Sequence, residues 1–464
     1  MNKIQRFFHT ATIYFFGNVI TKLLSFLMLP IYTSKLAPEA FGEYGLVLSL
    51  TSLIIPLVFF QIWDGVFRFS FDYKENEKYS VISNGFFVMI FGVTIYLLLF
   101  SIIKDFFSFE GEIIIFIYSS LVGIQYFYSV VARSFQNNKI FVFSGVINSI
   151  ISISLNIILI VIVELGVISL YISSAVGIII QCIIIEYKIG CISEIRVKDI
   201  DGGKIREMIK FSAPLSISTI TQWLLTGFTQ LTIVSELGSY ANGLFTVANK
   251  FSSMLVLIVG VFQFAWNEMA YMLSNEGDAD SYYSKTVTEI LKISTLGSSI
   301  LIIFVKVIFP YFINEQYFES ILIIPIVIIG TAFNSYSGFL GTIFLAKKQS
   351  NRLFITTAIS AVANILLLNF LVEPYGLIGA VTSLGISFFI GTVLRVIVLR
   401  QYSNISPDKL SYFTIIILFI SIYLYYRVEN IAYLLLSLVI FIVLFIFIEL
   451  PIIKKGLMNI NSKL

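Results

Sequence analysis

Residues 11–46 read ATIYFFGNVITKLLSFLMLPIYTSKLAPEAFGEYGL. The stretch is long enough to cross a bilayer once, turn through an elbow holding Pro38 and Gly42, and start back. One charged side chain, Lys22, sits near the middle of the crossing. A charge there costs about 2.5–3.5 kcal/mol on insertion scales, so it faces a partner or a wet cavity. A related neighbourhood recurs in the second half of the chain, and these two features organise the rest of the reading.

The 464 residues are 58% hydrophobic and 12% charged, whereas about a quarter of a soluble domain is charged. Mean hydropathy is +0.94. Apolar runs of about 20 residues, each able to span a bilayer, recur throughout. The fold expected is an all-α polytopic membrane protein; a transmembrane barrel would show short alternating strands instead. Fourteen spans are expected, at 11–32, 44–63, 84–103, 113–131, 142–163, 166–187, 211–234, 244–266, 288–309, 320–345, 354–372, 375–398, 411–428 and 431–451. The segment MNKIQRFFHT before the first has no cleavable signal pattern, so the first span reads as permanent.

Several chemistries find no support. Cys182 and Cys191 make no disulfide or metal framework, and His9, the single histidine, falls outside the spans. No metal and no cofactor are expected. A net charge of +3, without a basic stripe beside exposed aromatics, gives no nucleic-acid partner. No nucleophile–base or nucleotide motif appears, and the outer loops are too short for a catalytic domain, so no enzyme is expected.

Lys and Arg concentrate in alternate loops, with six in 188–210, and leave only Lys35, Lys104 and Arg427 for the others. The bias places both termini in the cytoplasm. In the stretch KIREMIKFSAP (204–214), which begins in the 188–210 loop, Ile205, Met208, Ile209 and Ser212 share one helical face while Lys204, Arg206 and Lys210 ring the other. Both an interfacial helix and an ordinary charged linker fit that pattern.

An internal repeat is visible. Ser34-Lys35-Leu36 matches Ser235-Glu236-Leu237 at an offset of 201, which also sets Gly42 on Gly243 and Tyr44 on Phe245. Asn156-Ile157-Ile158-Leu159 leads to Gly166 as Asn364-Ile365-Leu366-Leu367 leads to Gly376. The expected organisation is a six-helix lobe at 1–187, a linker at 188–210, a second lobe at 211–398 and two further helices in 399–464. Copies with an even number of spans share one topology, and a substrate path is expected between them.

The stretches LAPEAFGEYGLVLSL (36–50), KFSAPLSIST (210–219), FQFAWNEMAYML (262–273) and GTIFLAKKQS (341–350) resemble the Wzx-type oligosaccharide-lipid flippases of the MOP exporter superfamily. The resemblance implies two six-helix lobes in a MATE-like V. It also implies transfer of undecaprenyl-diphosphate-linked oligosaccharide, an O-antigen or related polysaccharide unit, to the outer leaflet of a bacterial inner membrane. Membrane lipids, a polysaccharide polymerase and a chain-length regulator are the partners it suggests. Similar proteins often carry Asp-Arg in the seventh span where this chain has Thr229-Gln230.

With that cargo, Lys22 and Lys250 are the cavity residues expected to stabilise the diphosphate, snorkelling or helix pairing being the alternative. Gln222, Thr226 and Gln230, within a seventh span rich in Ser and Thr, and Asn334 in the tenth are expected to meet sugar or to bond neighbouring helices. Asp64 and Arg68, four residues apart, and Arg133 form either a cytoplasmic loading site or a structural salt bridge. Trp223 stacks on sugar or sits against lipid. Related alternatives are a lipid-II-type flippase and a multidrug/cation antiporter. Mid-span charge here is positive, which favours an anionic cargo.

Overall fold

A computed structural model describes residue 19 and residues 21–73, 77–103, 109–196, 199–273, 279–401 and 408–461. The stretch 11–18, the loop residues Lys104 and Asp105, His9 and the last three residues lie outside the described residues. The helices are α1 (Leu29–Lys35), α2 (Pro38–Val58), α3 (Ile62–Ser70), α4 (Lys78–Ile103), α5 (Glu112–Ser134) and α6 (Asn138–Ile157). They continue as α7 (Ile168–Ile189), α8 (Cys191–Glu194), α9 (Gly202–Leu273), α10 (Ala279–Phe312), α11 (Ile324–Ala346), α12 (Ser350–Leu399), α13 (Lys409–Arg427) and α14 (Ile431–Asn461). Residues 21–27 are also helical and run towards α1.

Eleven of the described helices are long and apolar enough to cross a membrane. Two of these, the 59 residues Gly202–Gly260 and the 50 residues Ser350–Leu399, are each about twice a bilayer's thickness at 1.5 Å per residue. Each bends at a glycine with non-helical torsions, Gly238 (φ 85°) and Gly376 (φ 56°). Each is thus two crossings; the bend at Gly238 falls between the spans expected at 211–234 and 244–266, and the bend at Gly376 lies just inside the start of the span expected at 375–398. The chain is a multi-pass helical membrane protein.

The elements start and stop for local reasons. Pro38 opens α2 and Pro325 the first turn of α11, where a missing N–H costs nothing. Asn137 caps α6 by accepting from the Ile140 N–H, and Gly190 closes α7 in the left-handed region. At the end of α5, Gln136 takes φ 55° while Asn137 N–H bonds Ala132 O and Gln136 N–H bonds Arg133 O. At the end of α11, Lys348 takes φ 58° with the same two bonds, from Gln349 to Phe344 and from Lys348 to Leu345. Both are Schellman turns, built without glycine.

The chain divides into two compact units, Met1–Val234 with Gly238–Gly243, and Ser235–Leu237 with Leu244–Leu464. The first has an apolar core around Phe59, Ile62, Val66, Ile82, Phe127 and Val131. Inside it, Gln181 on α7 accepts from Gln125 on α5 (2.7 Å) and from Asn148 on α6 (2.8 Å). The second unit has a polar clasp of the same design. There Arg395 in α12 donates to Ser337 O of α11 (2.5 Å) and to Thr357 Oγ1 (2.8 Å) and Thr356 Oγ1 (3.3 Å) in the first half of α12. Gly177 and Gly391, one turn before Gln181 and Arg395, lie against Ser152 and Ser360 respectively. Also in the second unit, α13 and α14 lie on α10, with Leu296, Ile303, Ile417, Leu434 and Phe441 buried together and Thr295 bonded to Thr414 at 2.9 Å.

Candidate functional site

The exposed faces of the crossing helices differ in kind. On α4 the exposed side chains include Phe87, Ile90, Phe91, Leu97 and Leu98, which suits contact with lipid tails. The first half of α9 instead exposes Ser218, Gln222 and Thr226, four residues apart, with Gln230 half-buried one turn on. Hydroxyls and amides exposed along a crossing helix are costly against hydrocarbon, so this face suits water. On the same turns Trp223, Leu225 and Thr229 are buried.

Trp223 faces the interior of the first unit. It is buried, its indole lies over Gly227, and its Nε1–H donates to Ser49 O at 2.9 Å and Ser49 Oγ at 3.1 Å. Trp223→Phe keeps most of the ring but leaves the Ser49 acceptors unpaired. It should lower stability by about 1–2 kcal/mol and leave the exposed stripe intact. A thermal melt in detergent unchanged from wild type would remove that role.

Beside this helix, where α2 ends, the backbone itself is unusual. Pro56 lies near the end of α2, and Phe60 and Gln61 follow with φ 51° and 47°. Two consecutive bulky residues in the left-handed region cost about 1 kcal/mol or more each. The turn aims the Gln61 side chain between two polar groups. Its Nε2 donates to Asp64 Oδ2 at 2.6 Å, and its Oε1 accepts from Thr219 at 3.2 Å. Burial pushes the Asp64 carboxyl up from its ordinary value, while the Gln61 bond and the Arg133 charge pull it back. Arg133 lies over the Phe67 ring, 4.6 Å from its centroid. Arg68 does not pair with Asp64; it turns to Asp72, 2.9 Å away and exposed.

In the second unit, Asn334 and Gly338 are exposed on α11. One turn further, Thr342 bonds Asn267 (2.8 Å) and Gln263 (3.2 Å), which bond each other at 2.7 Å. Lys250 is half-buried on the second half of α9; among the described residues its ammonium makes no hydrogen bond or ion pair. Lys22 is exposed on the stretch 21–27. The structure therefore links Asp64 to the polar helix through Gln61 and Thr219. It gives Lys22, Gln222 and Thr226 exposed positions in the first unit and Asn334 one in the second. Gln61 was not singled out by sequence; Pro56, five residues before it, was the available signal.

Many crossing helices, two glycine-bent helix pairs and polar faces exposed along crossings define a polytopic helical membrane fold. Solved structures agree. The lipid II flippase MurJ in an inward closed conformation matches with a TM-score of 0.69 at 16% identity, over 97% of this chain and 100% of that one. An inward-facing multidrug resistance MATE transporter of the MOP superfamily matches at 0.67 and 16%, over 82% and 96%. A MOP superfamily transporter from Pyrococcus furiosus, described as having a binding pocket of reversed polarity, matches at 0.62 and 14%, over 85% and 94%. No curated protein sequence matches. The family profile of the polysaccharide biosynthesis proteins matches residues 8–266, and the chain belongs to that family.

Proposed function

We propose that this protein is a flippase for undecaprenyl-diphosphate-linked oligosaccharide repeat units of an O-antigen or related surface polysaccharide. It carries them from the cytoplasmic to the outer leaflet of the bacterial inner membrane, with both termini in the cytoplasm. Membership of a polysaccharide biosynthesis family supports the class of cargo. The observation that carries the reading is the exposed Ser218–Gln222–Thr226 stripe, which offers hydroxyl and amide groups to sugar inside a crossing helix.

The roles follow from chemistry. The diphosphate is the costly part of the cargo in an apolar slab, and Lys22 and Lys250 supply positive charge at mid-span. Gln222, Thr226, Gln230 and Asn334 meet the glycan. Asp64 and Arg133, held near the inner end by Gln61 and Phe67, form the cytoplasmic mouth, with Arg68 at its rim. The polyprenyl tail stays in lipid. We carry forward repeat lobes at 1–187 and 211–398, joined by 188–210, with 399–464 appended. A polymerase and a chain-length regulator act downstream.

A second reading, lipid II as cargo, is favoured by the full-length likeness to MurJ and shares the diphosphate carrier. Complementation separates them. The gene should restore surface glycan to a strain lacking its polysaccharide flippase and should not rescue loss of the lipid II flippase. The double variant Gln222→Leu/Thr226→Val should insert normally and lose surface glycan about tenfold or more, because two sugar-facing hydrogen bonds of about 1 kcal/mol each go. Full display by that variant at wild-type abundance would refute the sugar-facing role of the stripe.

A further inference from the structure

In the second unit, a carboxyl that neither the fold nor the cargo explains lies where α10, α13 and α14 meet. Glu449 on α14 is 1% exposed, directly after Ile448 at the end of the buried apolar contact with α10. Among the described residues its Oε1 has no hydrogen-bond partner. Three charged groups are within electrostatic reach of it: Glu289 and Lys292 on α10 and Asp408 at the start of α13. Lys292 is 2% exposed, and its ammonium is already committed, to Glu289 at 2.7 Å and to Asp408 at 3.4 Å. Asp408 also caps α13 by accepting from Ser411 N–H at 2.8 Å and Ser411 Oγ–H at 2.7 Å. Although burial acts to raise it, these bonds and Lys292 hold the Asp408 carboxyl below its ordinary value, so it is ionised.

Among the described residues, therefore, one ammonium faces three carboxyls, and the deepest of them has an oxygen with no donor. An ionised carboxylate in that position is uncompensated, and a buried group in this situation takes up a proton instead. Among the described residues no group of three or more acidic, Cys or His side chains is arranged to hold a metal ion. We propose that Glu449, with Glu289, Lys292 and Asp408 around it, forms a proton-binding site that holds the last helix against α10.

Protonated, Glu449 is a neutral group at the edge of an apolar contact, and α14 docks on Leu296 and Ile303. Deprotonated, it sets a third negative charge beside one lysine, and the contact must hydrate. Proton uptake at the cytoplasmic end of α10, α13 and α14 is thereby linked to the packing of the C-terminal helices. The site is independent of the cargo, and its test does not use transport.

The experiment is an infrared pH titration of the full chain in lipid nanodiscs, following the C=O stretch of protonated carboxyl groups. The wild type should show a protonated-carboxyl band at neutral pH that Glu449→Gln lacks. Removing a neighbouring negative charge makes ionisation of Glu449 easier. Glu289→Gln and Asp408→Asn should each move the midpoint of that band to lower pH, by about one unit. These two variants keep Glu449, so the test survives if Glu449→Gln fails to fold. No protonated band assignable to Glu449 at neutral pH would overturn the proposal, as would a midpoint that neither charge-removing variant moves. A band abolished by added sodium at fixed pH would make the site one for a metal cation, and the proton assignment would fall.

Discussion

Gly243→Leu should prevent the protein from accumulating in folded form, and Gly243→Ala should already destabilise it by about 2–3 kcal/mol. The N-terminal turn of α2 and the turn 239–243 lie against each other within the first unit with almost no side chain between them. A Cβ on Gly243 would stand 2.0 Å from Pro38 O, and one on Gly42 would stand 2.0 Å from Ser239 O. Backbone cannot yield as a side-chain tip does, so the helices must separate. Separation also strains the bond from Asn242 Nδ2 to Gly42 O, 2.6 Å long and buried. Pro38-x-x-x-Gly42 meets Ser239-x-x-x-Gly243, a close approach of the small-residue type that substitutes for hydrophobic driving force in lipid. Size-exclusion profiles and thermal melts of the detergent-solubilised variants decide the matter. A Gly243→Leu variant as abundant and monodisperse as wild type would show that the crossing is not needed for folding.

That glycine pair was legible in the sequence only as a correspondence, Gly42 on Gly243 at a fixed offset, with nothing to say that the two touch. Hydropathy read most crossings well because a span needs only length and apolarity; Gly238 fell in a gap it left, whereas Gly376 lies just inside the span expected at 375–398. The Ser- and Thr-rich seventh span stood out for the opposite reason, its low hydropathy, and its exposed stripe lies where the polar residues recur. Pairing was harder. Asp64, Arg68 and Asp72 are each four residues apart, so spacing alone could not say that Arg68 would choose Asp72. Gln61 escaped notice because its role depends on a left-handed backbone. The clasp residues Gln181 and Arg395 differ in type and in hydrogen-bonding role, so no shared motif marks them. The cluster of Glu289, Lys292, Asp408 and Glu449 assembles from three helices far apart in sequence, and no local pattern announces it.

Lys250→Met should raise stability while slowing transport, and that opposed pair of effects is the signature of a functional cation. Lys250 lies 12 residues past the bend at Gly238 and six residues into the span expected at 244–266, about 9 Å from the start of that span. At that depth a four-carbon stem carries the ammonium only part of the way to the headgroups. With no partner among the described residues, its charge costs about 2.5–3.5 kcal/mol on insertion scales, and methionine of similar length relieves much of that cost. Transport should respond in the other direction. A charge-assisted bond to phosphate contributes about 1.5–3 kcal/mol, so its loss should slow translocation about 10- to 100-fold. Lys250→Arg should retain a substantial part of the activity, since it keeps the charge but alters its geometry. Lys250→Gln separates charge from hydration, because it keeps a polar head in the same place without the positive charge. The measurements are thermal melts of purified variants beside surface-glycan display at matched abundance. If Lys250→Gln and Lys250→Met both display glycan as wild type does, the lysine holds no diphosphate. If Lys250→Met instead unfolds the protein, the ammonium is structural, and its partner must then be sought outside the described residues.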